Sequence, residues 1–298
     1  MPLTIQPVTE TFVAEVGDVD LSRPLDAATV ETIRDAFWHY GVLVFPGQRL
    51  DEESHLAFAR HFGPLETSIG VYRTDVAPRI REDLSDISNL DRDGRIWGAD
   101  SRIRRYKMGT RLWHTDSSFK HAPARASLLH ARSVAPVGGH TEFADVRAAY
   151  DALDAEMRNR IEGLVAEHSV FNSRARIGFT DFIEDERSNL KPVYQVLART
   201  IPESGRRALF VASHAGRIHG MADDEGKALI DRLLEHATQR QFVYTHRWRV
   251  GDLVMWDNRA TLHRGTDYDD LRWPRDMLRA TVSDEVNSCE REGVAVPG

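Results

Sequence analysis

The chain has 298 residues, 41% hydrophobic and 29% charged, with a formal net charge of −7. This describes a globular protein long enough to bury a large core, and the negative balance argues against a nucleic-acid surface as its main business. One cysteine, Cys289, excludes an intrachain disulfide and a cysteine-built zinc or iron–sulfur site.

The N-terminus lacks the basic start and apolar core of a secretory signal. No apolar run approaches the ~20 residues of a membrane helix, so neither a membrane nor a nucleic acid is an expected partner and a cytoplasmic enzyme is expected. Phe12 to Val19 reads as a short extended segment. Asp26 is a helix N-cap, and Val30, Ile33, Phe37 and Tyr40 recur at helical spacing before Gly41, a natural stop. Val42-Leu43-Val44-Phe45 is a continuous apolar run closed by Pro46-Gly47, the pattern of a strand buried on both faces. A second helix is expected from Asp51 to Phe62, ended by Gly63-Pro64. Between Glu66 and Arg111 the pattern weakens, with a strand at Asp86–Leu90 and a basic run, Arg102, Arg104, Arg105 and Lys107, expected as a solvated loop.

Then comes Trp113-His114-Thr115-Asp116-Ser117-Ser118-Phe119. On extended backbone, residues i and i+2 point to the same side, so His114 and Asp116 converge. Ala126–Ala131 and His140–Ala144 read as strands, and Asp145 caps a helix expected to reach Gly163. Phe171 to Gln195 lacks periodicity, and an irregular segment of that length is usually functional, often a lid. Strands follow at Ala208–Val211, Phe242–His246, Asp252–Trp256 and Leu278–Val282, with an amphipathic helix at Ala222–Thr238 and a mobile tail after Asp284. Short strands that do not alternate regularly with helices disfavour a doubly wound parallel sheet. An antiparallel jelly roll with flanking helices, as a single domain over residues 1–298 with a lid-like insertion around 167–200, is the expected architecture.

If His263 reaches the point shared by His114 and Asp116, the set is two histidines and one carboxylate. That facial set suits non-heme Fe(II) and leaves positions open for co-substrates. Arg275 and Arg279 follow His263 by 12 and 16 residues, an even separation that puts both on one face of a strand. Two guanidiniums facing an interior need two anions. One could be the far carboxylate of 2-oxoglutarate, toward which Thr141 could also donate, and the other the substrate's own anionic group.

Trp113-His114-Thr115-Asp116, Gly138-Gly139-His140-Thr141, Trp256-Asp257-Asn258, His263 and Arg275 through Thr281 together resemble the taurine / 2,4-dichlorophenoxyacetate dioxygenase family. The likeness runs from Phe12 to Val282 and is strongest to the aryloxyacetate branch, in Glu142 to Leu153, Asn172-Ser173-Arg174 and His236 to Tyr244. The resemblance implies a double-stranded β-helix core and an enzyme using Fe(II), 2-oxoglutarate and O2. It assigns His114, Asp116 and His263 to the metal, Thr141 and Arg275 to 2-oxoglutarate, and Arg279 and Ser117 to the substrate. Thr110 stands where the taurine branch carries an asparagine, which points away from taurine. The implied reaction hydroxylates an aryloxyalkanoate beside its ether oxygen, giving a phenol and an oxo-acid with succinate and CO2. Ile69, Val71, Tyr72 and Phe171 are candidate apolar walls for the aryl group, and a homo-oligomer is expected.

Three alternatives stay open. The same chemistry could act on an alkyl sulfate, a sulfonate or another carboxylic acid. A non-catalytic jelly-roll binding module would need none of the three metal ligands. A zinc hydrolase accepts the same ligands but gives no reason for Thr141, Arg275 and Arg279.

Overall fold

The computed structural model describes residues 3–296. A seven-stranded sheet is built from β1 (Thr4–Pro7), β2 (Val13–Gly17), β3 (Val42–Phe45), β4 (Ser85–Asp86), β5 (Ala124–Ser133) and two strands from near the end of the chain. A three-stranded sheet uses β6 (Thr141–Asp145), β7 (Val243–His246) and β9 (Thr261–Gly265), with β8 (Leu253–Asp257) and β10 (Asp276–Ser283) returning to the large sheet. The strand orders are β1-β2-β3-β8-β5-β10-β4 and β7-β6-β9. All pairings are antiparallel except β2–β3, which are parallel. A parallel pair needs a crossover, and α1 (Ala27–Tyr40) supplies it. Asp26 accepts from the Thr29 N–H at its start, and Gly41, at φ 86°, returns its N–H to the Phe37 carbonyl at its end.

The alternation of the large sheet explains its layers. Val42, Val44, Leu129, Val254, Trp256 and Met277 pack with Phe143 of the small sheet between the two sheets. Their neighbours Leu43, Phe45, Leu128, Leu253, Met255, Leu278 and Ala280 face outward and are covered by Ile33 and Phe37 of α1 and by Leu56 and Phe58 of α2 (Glu52–Ala59). This is the jelly roll expected from the short apolar runs, and β3 is covered on both faces, by the small sheet on one side and by α1 and α2 on the other. On β10 the odd-numbered residues Met277, Arg279 and Thr281 point between the sheets, as does Arg275 just ahead of it, in keeping with their even spacing.

Four expectations are corrected. The basic run is not a loop but α3 (Arg102–Lys107), whose arginines are held by carboxylates: Arg102 by Asp75 and Glu186, Arg104 by Asp270, Arg105 by Asp181. The helix after Asp145 is two helices, α4 (Val146–Asp151) and α5 (Ala155–Ile161), because Asp154 captures the Met157 N–H and starts a new one. The segment 171–195 is not irregular. It carries α6 (Val170–Ala175) and α7 (Glu184–Asn189) between the paired strands Val165–His168 and Val193–Val196. Elements of four to six residues are too short for a period to register. Finally, after α8 (Asp223–Ala237) and the closing strands, the tail folds back as α9 (Ser288–Glu292). Asn287 donates there to the Tyr194 and His121 carbonyls, and Cys289 is fully buried. No helix among the described residues is long and apolar enough to cross a membrane.

The turn after β8 is held by a buried pair in which Asp257 takes both Nε and Nη2 of Arg259 at 2.9 Å. Asp257→Ala leaves that buried guanidinium with only Glu203. The expected loss is roughly 3–5 kcal/mol in urea or thermal unfolding. A loss under about 1 kcal/mol would show that Glu203 suffices.

Candidate metal centre

His114 and His263 are 149 positions apart in sequence and directly opposite each other in space. His114 N–H donates to the His263 carbonyl at 3.0 Å, and His263 N–H donates back to the His114 carbonyl at 2.8 Å. Facing residues of an antiparallel bridge project to the same side, so the two rings lie with centroids 4.1 Å apart. Two residues on, the Asp116 carboxylate meets them. Its Oδ1 is 3.9 Å from His114 Nε2 and its Oδ2 is 3.6 Å from His263 Nε2. Ser117, at φ 51°, then turns the chain away.

Three donor atoms, one from each residue, lie within 4.8 Å of one another and all three residues are buried. The arrangement fits a divalent transition metal on chemical grounds. Burial lowers the pKa of both imidazoles, that of His263 far below its ordinary value, so neither is charged at neutral pH. His114 Nδ1 lies 2.8 Å from the Leu112 carbonyl, which cannot donate, so the proton sits on Nδ1 and Nε2 presents its lone pair to the centre. Burial acts to raise the Asp116 carboxyl, but Arg279 and the two histidines outweigh it and hold it at about 2. One face of the ion would be occupied and the opposite positions left open.

Asp116 is aimed by a network that sequence reasoning missed. Ser127 Oγ donates to Asp116 Oδ2 at 2.7 Å, and Asn258 Nδ2 donates to Ser127 Oγ at 2.9 Å. Asn258 Oδ1 accepts from the Asp116 N–H at 3.1 Å and the Trp256 indole at 3.0 Å. The reading of Asn258 as a turn former holds only part of its role. Trp256 does wall the site, its ring tilted against that of His263 with centroids 4.7 Å apart. No local pattern marks Ser127, an inward position of an ordinary strand.

The candidate ligands His114 and Asp116 line a cavity of about 100 Å³ together with Arg279, Ser117, Thr110, Ile69, Phe119, Arg174 and His214. Asp86, Ile87, Lys107 and Thr110 also line a neighbouring cavity of about 90 Å³, which contains Arg275, Gly139 and Tyr268. Arg275 is buried, and its side chain donates only to the Gly139 and Ile87 carbonyls. No carboxylate lies within ion-pair distance of it among the described residues, and burial brings its pKa down to about 10. An unbalanced buried cation of this kind is a receptor for an anion. Thr141 is buried on β6, where its Oγ1 accepts from the Trp248 indole at 2.9 Å, leaving its proton to donate elsewhere.

Other expected positions are distributed as follows. Arg279 Nη1 contacts Asp116 Oδ1 and its Nε donates to Thr281, while Nη2 makes no hydrogen bond among the described residues. Ser117 Oγ donates to Glu66 at 2.7 Å. Val71 is 38% exposed and lines a separate cavity of about 450 Å³ under the loop 68–92 rather than the metal cavity, because Ile69 takes the inward place on that turn. Phe171 packs edge-on against Phe182 with centroids 4.6 Å apart and does not line the metal cavity, since α6 turns Arg174 inward instead. Neither Lys107, lowered by burial to about 8, nor His214, edge-on to His114, was expected there.

Residues 4–281 match the family described as taurine catabolism dioxygenase TauD, TfdA family. The chain is 46% identical to the alpha-ketoglutarate-dependent 2,4-dichlorophenoxyacetate dioxygenase of Cupriavidus pinatubonensis, over 96% of this chain and 99% of that one. It is 36% identical to the (S)-phenoxypropionate/alpha-ketoglutarate-dioxygenase of Sphingobium herbicidovorans, over 89% and 90%. Among solved structures, that of AAD-2 in complex with Mn(II) and N-oxalylglycine aligns with a TM-score of 0.88 at 45% identity, over 97% of this chain and 99% of that one.

Ser127→Ala removes the hydroxyl that orients Asp116 and leaves the ligands in place. Metal affinity should fall roughly 10- to 100-fold in a competition titration with Mn(II). Wild-type affinity in the variant would show that Asn258 and Arg279 alone suffice.

Proposed function

The chain belongs to the TauD, TfdA family of dioxygenases, and on that premise we propose that its substrate is an aryloxyalkanoate such as 2,4-dichlorophenoxyacetate. It is an oxidoreductase that uses Fe(II), 2-oxoglutarate and O2. Bound Fe(II) supplies the oxidative decarboxylation of 2-oxoglutarate to succinate and CO2 and, with it, the hydroxylation of one substrate C–H bond.

The observation that carries the reading is a buried histidine–aspartate–histidine set next to a buried arginine with no counter-ion. His114, Asp116 and His263 would hold the metal. Arg275, reached from the metal cavity past Ile87 and Thr110, would take the distal carboxylate of 2-oxoglutarate, with Thr141 donating to it. A guanidinium grips a carboxylate through two parallel bonds, which fixes the co-substrate's direction as well as its charge. Arg279 would keep Nη1 on Asp116 and offer Nη2 to the substrate's anionic group. That places the carbon between carboxylate and ether oxygen next to the metal. Hydroxylation there yields a hemiacetal, which collapses to the phenol and glyoxylate. Ser117, tied to Glu66, would line the floor. Support for the aryl ether comes from the two relatives named above, which act on phenoxyalkanoates by name.

Two measurements test this. Phenol should appear from 2,4-dichlorophenoxyacetate in a 1:1 ratio with succinate above the substrate-free rate, and succinate without phenol would reject the aryl ether. Arg275→Gln should raise the KM for 2-oxoglutarate roughly 10- to 100-fold, the worth of one charged hydrogen-bond pair, with little change in the KM for the aryl acid. An equal rise in both would place Arg275 elsewhere.

A further inference from the structure

We infer that Arg174 is a specificity-determining residue, a second guanidinium that shares the substrate's anionic group with Arg279 and makes the enzyme prefer acids over neutral aryl ethers. The inference rests on the aryl-acid reading above and extends it. Arg174 projects from α6 into the metal cavity and is only 7% exposed. No carboxylate lies within ion-pair distance of it among the described residues. Nη1 donates to Ser173 Oγ at 2.9 Å, Tyr106 is its other side-chain partner, and Nε is buried without a partner among the described residues. Glu186, the nearest acid to influence it, is itself bound to Arg102.

The contrast with its neighbours is chemical. Arg176, one turn-step along, is spent on Asp231 at the surface. Arg279 has a hand on Asp116. Arg174 alone of these keeps its charge uncommitted inside the cavity. Such a cation is costly to bury and gains most from an incoming anion.

Its position is also built. The guanidinium carbon lies 4.4 Å from the centroid of the Tyr106 ring, an attraction that holds the plane without neutralising the charge. The plane presses on Gly109, where any Cβ would overlap it. Gly109 sits in a helical turn at ordinary φ, so backbone strain does not require glycine there, whereas the arginine's approach does. A second arginine, Arg73, stands 5.5 Å from the same ring and lines the same cavity.

The test is binding without turnover, by calorimetry on enzyme loaded with Mn(II) and N-oxalylglycine. The titrants are 2,4-dichlorophenoxyacetate and its uncharged analogue 2,4-dichlorophenoxyethanol. For Arg174→Gln the acid should bind at least tenfold more weakly, the alcohol within threefold of wild type, and Mn(II) unchanged. Gly109→Ala, which displaces the guanidinium without removing it, should reproduce the same split. Equal binding of the acid by wild type and both variants overturns the proposal, as does equal weakening of acid and alcohol, which marks a structural role. If wild type binds an alkyl sulfate and not the aryl acid, the aryl reading fails while Arg174 is tested on the sulfate by the same split. If wild type binds no anion at all, Arg174 has no such role.

Discussion

The backbone bridge between His114 and His263 is the constraint on which the site depends. Two peptide hydrogen bonds bring together residues from the loop before β5 and from β9, and the pleat then sends both imidazoles to one side. Asp116 joins them because it is two residues along. The bridge is only one pair long, so what surrounds it must keep it in register. β9 is paired with β6 from Thr261 to Gly265, and Thr115 Oγ1 is tied to the Asn258 carbonyl at 2.7 Å. The network of Asn258, Ser127 and Trp256 then sets the angle of the carboxylate. The candidate ligands are thus positioned by sheet pairing on one side and by a buried amide on the other.

Arginine has two opposite uses in this interior, and the counter-ion tells them apart. Arg147 is bidentate to Asp145, Arg259 to Asp257, and Arg199 meets Asp284, all of them fully buried. These pairs lock the turns that end β6 and β8 and the contact with the folded-back tail. Arg275 and Arg174 are buried as well, at 9% and 7% exposure, and have no acid within ion-pair distance among the described residues. In a protein of net charge −7, acids are not scarce, so two cavity-lining guanidiniums without one make a local positive field that an incoming anion would relieve. The global charge and the local field therefore have opposite signs.

The local pattern of the chain made much of this legible. Asp26 and Gly41 bound a helix because capping and left-handed geometry are properties of single residues. Val42–Phe45 announced a strand covered on both faces because every residue was apolar. The even spacing of Arg275 and Arg279 put both between the sheets because the strand period is two. Patterns this local fail where a residue's partner is remote. The basic run of α3 looked solvated because Asp75, Asp181, Glu186 and Asp270 lie in other parts of the chain. Of the expected apolar walls Ile69 does line the cavity, but Val71, Tyr72 and Phe171 do not, because short helical turns two and three residues off give the inward places to Ile69 and Arg174.

The amino-acid sequence by itself determined the kind of chemistry: two histidines and an aspartate for a metal, arginines for anions, and short apolar strands for a jelly roll. Those are matters of side-chain type and spacing, which chain order preserves. Only the tertiary structure decided which of the chain's arginines stay without a counter-ion, which hydroxyl and amide aim Asp116, and which loop residues reach the cavity. Each of those depends on distances between segments that can lie far apart in the chain, as Asp116 and Asn258 do, and electrostatic and hydrogen-bond energies are set by distance and burial rather than by order along the chain.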